Sequence, residues 1–327
     1  MQKKYLTNIG IMYAIGVLLV LYGHSCPYVK WGDCGIVGKS IEIIYYFHMP
    51  LFFFLAGFMF EYTKSDSFDY KKYILKKIKF LLVPYLFITL VAFVIKIAMN
   101  QYAIRPIDVS FNGFFHSLFY PLDNPNLFLW FLPTLFLMYL IAPMIGNISK
   151  NIINALILFF IIVLLYVYKP LDGLKIFNIY RVETDLIYFI GGMFINKYIT
   201  KTLEEFKSVV LLFFFIGIFI ILIKLKINKL NFLIAFFGIF VIIIANYLND
   251  LKIYKNSLFS SIMEKYYQIY LLSWFFLVPV KIIFFKFLHI NYIVVFVLEF
   301  TVALFGSLIV SNLLHKNKIL KLLVGLK

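Results

Sequence analysis

Long apolar runs separated by short charged connections dominate the chain. Within runs such as Val209–Ile223 and Leu233–Tyr247, apolar residues follow one another without a polar residue at every second position. A membrane barrel strand alternates apolar and polar residues with period two. Continuous runs therefore predict helices, the other structure that satisfies its own backbone in lipid. Interruptions by charge and turn residues divide the chain into Thr7–Ser25, Ile41–Phe60, Phe80–Ala98, Leu129–Gly146, Ile152–Tyr168, Asp185–Lys197, Ser208–Lys224, Asn231–Leu248, Tyr266–Phe285 and Tyr292–Leu314. The expectation is an all-α, polytopic integral membrane protein: one domain over residues 1–327 with about ten transmembrane helices.

Charge orients this scheme. The connection Tyr62–Lys79 carries Lys64, Lys71, Lys72, Lys76, Lys77 and Lys79, which places it in the cytoplasm. Both termini then fall in the cytoplasm, with Lys3 and Lys4 at one end and Lys316, Lys318, Lys321 and Lys327 at the other. Lys150, Lys197, Lys201, Lys207, Lys252 and Lys255 fall on the same side. Lys224, Lys226 and Lys229 fall outside, where snorkelling accommodates them.

Composition strengthens the assignment. Hydrophobic residues make up 63% and charged residues 14%, against about 45–50% and 25% in soluble domains. The net charge of +16 rests almost wholly on Lys; Arg105 and Arg181 are the only arginines. Lys suits bidentate phosphate recognition poorly, so nucleic acid is excluded as a partner. The apolar stretch Ile9–Gly23 reaches signal-peptide length, but no small-residue cleavage site follows, so it reads as a retained first helix. Cys26 and Cys34 share one short loop. Two free thiols are favoured there over a disulfide, since spacing alone does not establish Cβ geometry.

Ionisable groups within spans are costly and usually have a task. His24 ends the first span and His48 lies early in the second, so both occupy the outer half of the bilayer. A histidine titrates near neutrality and can take a proton from a hydroxyl nucleophile and return it to a leaving group. His24 is read as functional. For His48, a site role and an interfacial histidine bonded to a carbonyl stand level. Asp185 is likewise balanced between orienting a partner and compensating a helix dipole; for Glu42 the dipole reading is preferred. Glu264 and Lys265 are read as a cytoplasmic helix start, and His289 and His315 as loop or interface residues. Trp31, Trp130 and Trp274 are read as partly forming interfacial belts. Two outward connections exceed tight turns: Met99–Phe128, with Arg105, Pro106, Asp108, His116, Asp123 and Asn124, and Lys169–Thr184, with Asp172, Lys175, Arg181 and Glu183. No glycine-rich phosphate loop and no metal-ligand spacing is present.

Several phrases resemble the membrane acyltransferase-3 family: Gly23-His24-Ser25, the run Phe47-His48-Met49-Pro50 through Gly57-Phe58, Lys76-Lys77 before Phe80–Tyr85, and Trp130-Phe131-Leu132-Pro133. The resemblance implies a ten-helix enzyme of the cell (inner or plasma) membrane. Such an enzyme moves an acyl group, commonly acetyl from acetyl-CoA, to a hydroxyl of a cell-surface glycan. It implies His24 as the catalytic histidine, with His48, Tyr13, Trp130, Asp185 and Arg181 binding substrate or supporting the site. No resident cofactor or metal is expected: acyl-CoA is a co-substrate, the glycan and the bilayer are the other partners, and self-association stays open. Two positions depart from the pattern. Tyr13 stands eleven residues before His24, where many members have Arg or Lys; eleven residues rise roughly 16 Å and return to nearly the same helix face. Ser273 stands where many members end a similar phrase with His. The alternative readings are a transporter of a glycan or lipid-linked intermediate, and a family member without turnover.

Overall fold

Asparagine begins several of the helices. In the computed structural model the side chains of Asn151, Asn256, Asn291 and Asn317 each accept a backbone N–H of the turn that follows, which satisfies donors that have no partner inside the helix. The structure describes residues 2–28, 31–65, 67–103, 105–199, 209–225, 231–248 and 255–325. Lys201, Lys207, Lys226, Lys229, Lys252 and Lys327 of the charge scheme, and Ser208 of the seventh segment, lie outside the described residues, as do the side chains of Lys3, Lys4 and Trp31.

The described residues form helices and connections, with no strand among them. The helices are α1 (Gln2–His24), α2 (Gly35–Tyr45), α3 (His48–Thr63), α4 (Tyr70–Lys77), α5 (Val83–Met99), α6 (Phe111–Phe119), α7 (Phe131–Ile148), α8 (Ile152–Tyr168), α9 (Ile179–Phe194), α10 (Val209–Leu225), α11 (Asn231–Leu248), α12 (Ser257–Leu272), α13 (Trp274–Val280), α14 (Tyr292–Leu314) and α15 (Lys318–Leu323). Among the described residues, five helical stretches are long and apolar enough to cross a membrane, and a sixth if the bent pair α12–α13 counts as one span. Three more apolar helices are shorter: Ile152–Tyr168, Val209–Leu225 and Asn231–Asn246.

Helix α3 is the hub. Its residues Leu51, Phe53, Phe54 and Leu55 are fully enclosed, as expected of a helix that is apolar all round. Its closest neighbour is α9, and small residues make the approach possible. A Cβ on Gly57 would stand 1.8 Å from the Phe189 carbonyl oxygen, and one on Gly192 would stand 1.9 Å from that of Phe54. The two backbones are thus in direct contact, the arrangement that glycine permits between helices in lipid. At the periphery, α10 buries no residue and turns Val210, Phe213 and Phe214 outward.

Several expectations are corrected. The segment Ile41–Phe60 lies within one candidate span, Gly35–Thr63, but its helix is interrupted at Tyr46–Phe47 and restarts at His48. Pro50 sits in the first turn of α3, where a missing N–H costs nothing. The segment Tyr266–Phe285 begins earlier, at Ser257, and bends by 58° between Leu272 and Trp274, about Ser273. Glu264 and Lys265 therefore lie inside α12, at a local kink on Lys265, rather than at a helix start. Cys26 and Cys34 are joined in a disulfide, because the turn before α2 brings their Cα atoms to 6.5 Å. Trp274, the first residue of α13, is buried rather than exposed as a belt residue would be.

Candidate active site

Among the cavities of the described residues, two share part of their walls. The first, of about 360 Å³, is lined by His24, Tyr45, His48, Phe128, Trp130, Lys169, Arg181 and Asp185 among others. The second, of about 470 Å³, is lined by Tyr13, Tyr73, Lys76, Lys77, Tyr139, Tyr266 and Tyr267 among others. Met49 and Tyr270 line both. Helix α3 runs from His48 in the histidine cavity to Thr63 in the basic one, a rise of about 22 Å.

The break between α2 and α3 builds the histidine cluster. There the Ile44 carbonyl accepts the Phe47 N–H at 3.1 Å, and the His48 Nδ1 lies 3.0 Å from the same oxygen. A carbonyl only accepts, so Nδ1 carries the hydrogen and a neutral His48 keeps its lone pair on Nε2. Tyr45, the last residue of α2, lies near both histidines, with its ring centroid 4.5 Å from that of His48 and 5.9 Å from that of His24. Tyr45 Oη lies 3.2 Å from His24 Nδ1 and 3.4 Å from the Gly23 carbonyl oxygen. Both contacts are hydrogen bonds at once in one arrangement only. Tyr45 donates to Gly23, and His24 Nδ1–H donates to Tyr45 Oη. The His24 lone pair then sits on Nε2, the tautomer a general base needs.

Other elements hold His24 in place. The Phe128 ring stacks on it at 3.9 Å, and the Tyr270 hydroxyl donates to the Phe128 carbonyl. Past His24, Ser25 returns its hydroxyl to the Leu21 carbonyl at 2.7 Å. The loop beyond is closed by the disulfide, and Lys281 Nζ donates to the Cys26 carbonyl at 3.0 Å. Lys281 lies within electrostatic reach of His24.

Arg181 and Asp185 reach the cavity from α9, one turn apart. The expectation placed Arg181 and Glu183 in a loop, but α9 starts at Ile179, so both are helical. The reversal is made by Phe177 and Asn178 at positive φ. The Arg181 guanidinium lies over the Trp130 ring at 4.7 Å. Glu183 accepts the Leu171 N–H at 2.7 Å and so secures the preceding turn. Arg181 Nε and Asp185 Oδ2 are buried without a hydrogen-bond partner and face a site that can supply one.

Other sequence candidates fall elsewhere. Tyr13 lines the basic cavity, stacked on Tyr266 at 4.4 Å. Lys76 and Lys77 line the same chamber, with the Lys77 ammonium 3.3 Å from the Tyr139 ring centroid. Lys96 lines neither cavity and donates to the Arg105 carbonyl at 2.5 Å. Asp108, His116 and Asp123 line a separate cavity of about 530 Å³ with Arg105. There His116 and Arg105 both engage Asp123. The Ser110 backbone N–H and hydroxyl hold the Asp108 carboxyl below its usual range. Glu42 is exposed. Among the described residues no cluster is able to hold a metal ion. Sequence reasoning missed Tyr45, Phe128 and Tyr270. The only signal for Tyr45 was its place three residues before His48.

A helical bundle with several helices fit to cross a membrane, and with a histidine cavity beside a basic one, defines the class: a polytopic membrane protein. A family model described as an acyltransferase domain (Acyl_transf_3) matches residues 7–316. The chain belongs to the acyltransferase-3 family, which supports a membrane acyltransferase over a transporter. No curated protein and no solved structure matches it significantly.

If the Tyr45 hydroxyl fixes the His24 tautomer, Tyr45→Phe lowers kcat while the KM for the acyl donor stays unchanged. A neutral hydrogen bond worth about 1 kcal/mol corresponds to roughly a fivefold fall. Steady-state kinetics in reconstituted vesicles check both parameters.

Proposed function

We propose that this protein is a membrane O-acyltransferase that moves an acetyl group from acetyl-CoA to a hydroxyl of a cell-surface glycan. The observation that carries the reading is the junction of the two cavities: a basic, tyrosine-lined chamber and a histidine chamber share Met49 and Tyr270 as walls.

In this reading the chain crosses the cell membrane ten times with both ends in the cytoplasm. The helices of 16–18 residues span about 24–27 Å, close to the thickness of the hydrocarbon core. The lysines at 71, 72, 76, 77 and 79 then face the cytoplasm and meet the phosphates of CoA. The pantetheine arm lies along the tyrosines of the basic cavity and brings the thioester to the junction. The glycan enters the histidine cavity from outside, where Arg181, Asp185 and Trp130 offer a cation, an acceptor and an aromatic face to a sugar.

The chemistry needs one base. His24 Nε2 takes the hydroxyl proton as the oxygen attacks the thioester carbon. The carbon–sulfur bond breaks, the CoA thiolate leaves, and it recovers the proton from His24. Hydroxyl and thioester become ester and thiol with no further reactant. Enclosure by Phe128, Trp130 and Tyr270 limits competing hydrolysis. Tyr13 leaves its own position in the donor chamber without the cation common in the family, and Lys76 and Lys77, which line the same chamber, supply positive charge there.

The test uses inside-out membrane vesicles that carry the chain and the cells' own glycan, given acetyl-labelled acetyl-CoA. Alkali-labile label on the glycan supports the reading. Intact vesicles whose glycan gains no label beyond that of vesicles lacking the chain overturn it.

A further inference from the structure

The two residues common to both cavities carry an inference beyond acetyl transfer itself. They are unlike in freedom. Tyr270 is fixed: its hydroxyl donates to the Phe128 carbonyl, and its ring meets Phe131 at 5.9 Å in an edge-on contact. Met49 is half-buried and follows His48 directly at the start of α3. No hydrogen bond is available to a thioether tip of this kind beyond a weak one, and an unbranched side chain adapts to whatever lies against it. Between them these side chains close the space an acyl group must enter to bring its carbonyl within reach of His24.

We infer that Met49 and Tyr270 form the partition that limits the acyl chain to acetyl size, with Met49 as its adjustable half. The inference rests on the acyltransferase reading above. A chain longer than acetyl must push its methylenes either back along the pantetheine arm or against the Met49 side chain. Truncation at Met49 removes its Cγ, Sδ and Cε and joins the two cavities by a wider passage. Deepening the basic cavity elsewhere leaves the passage as it is. Met59 provides that comparison, since it lines the basic cavity alone.

The experiment compares acetyl-, propionyl- and butyryl-CoA as labelled donors in the same vesicles, read as alkali-labile acyl label on the glycan. One methylene in an apolar slot discriminates about 10–200-fold. Met49→Ala is therefore expected to raise the butyryl-to-acetyl transfer ratio by roughly tenfold or more. Met59→Ala is expected to leave the ratio at the wild-type value. The ratio is taken within one preparation, so loss of folded protein does not alter it. An unchanged ratio in Met49→Ala, with wild type transferring acetyl, overturns the partition and leaves the acyltransferase reading intact. A ratio raised equally by Met59→Ala also overturns it, because general loosening then explains selectivity. Wild-type vesicles that transfer none of the three acyl groups overturn the acyltransferase reading and this inference together.

Discussion

Glycan acylation is expected to fall about 10²–10⁴-fold in His24→Ala, the range a positioned general base contributes. The expectation rests on geometry more than on residue type. His24 ends α1, stacks on Phe128 at 3.9 Å and has its Nδ1 engaged by Tyr45. Only Nε2 is left to face a hydroxyl. The substitution removes the base without disturbing the disulfide or the Lys281 contact beyond it. Donor binding should survive, since the proposed donor site is the other cavity. A CoA-binding measurement on the purified variant separates the two effects: unchanged affinity with lost transfer is the expected pair. A variant that transfers as well as wild type contradicts the assignment of His24.

The second large effect is on folding. A leucine at Gly192 or Gly57 places its Cβ only 1.9 or 1.8 Å from the carbonyl oxygens of Phe54 and Phe189 respectively. Those oxygens are backbone atoms and have no rotamer to change. Helices α3 and α9 must separate, at a cost of about 3 kcal/mol or more. That displacement also parts His48, at the head of α3, from Arg181 and Asp185, at the head of α9. The expected outcome is little monodisperse protein in detergent and a lowered Tm for what remains. Gly217→Leu is the control, because a Cβ there meets nothing within 4 Å. A Gly192→Leu variant as stable as the Gly217 control contradicts the close packing of the two helices.

The helices of this fold were largely legible, and their breaks were not. Ile152–Tyr168, Asn231–Leu248 and Tyr292–Leu314 coincide with α8, α11 and α14. In each case an asparagine or a charged connection adjoins a long apolar run, so composition changes where the backbone does. At Tyr46–Phe47 and at Ser273 composition does not change. The run Ile43–Phe54 stays rich in apolar and aromatic residues across the first break, apart from His48. Whether backbone hydrogen bonds continue there depends on packing against other helices, which periodicity does not report.

The same distinction governs the site. His24, His48, Trp130, Arg181 and Asp185 are rare types in this chain, and the structure gathers them in one cavity. Tyr13 shares the helix face of His24 by spacing but opens to the basic cavity, because α1 runs past both chambers. Tyr45, Phe128 and Tyr270 went unnoticed for a simple reason. With 24 tyrosines and 40 phenylalanines in the chain, residue type singles out none of them. The packing of α2 on the end of α1 brings Tyr45 to His24.

The most direct measurement is the acyl content of surface glycan, by mass spectrometry, from cells that carry the chain, lack it, or carry His24→Ala. The account predicts glycan in normal amount in all three, with the acetyl mass present only in the first. Acetyl content that is equal in all three, or glycan that fails to reach the surface when the chain is absent, would contradict it.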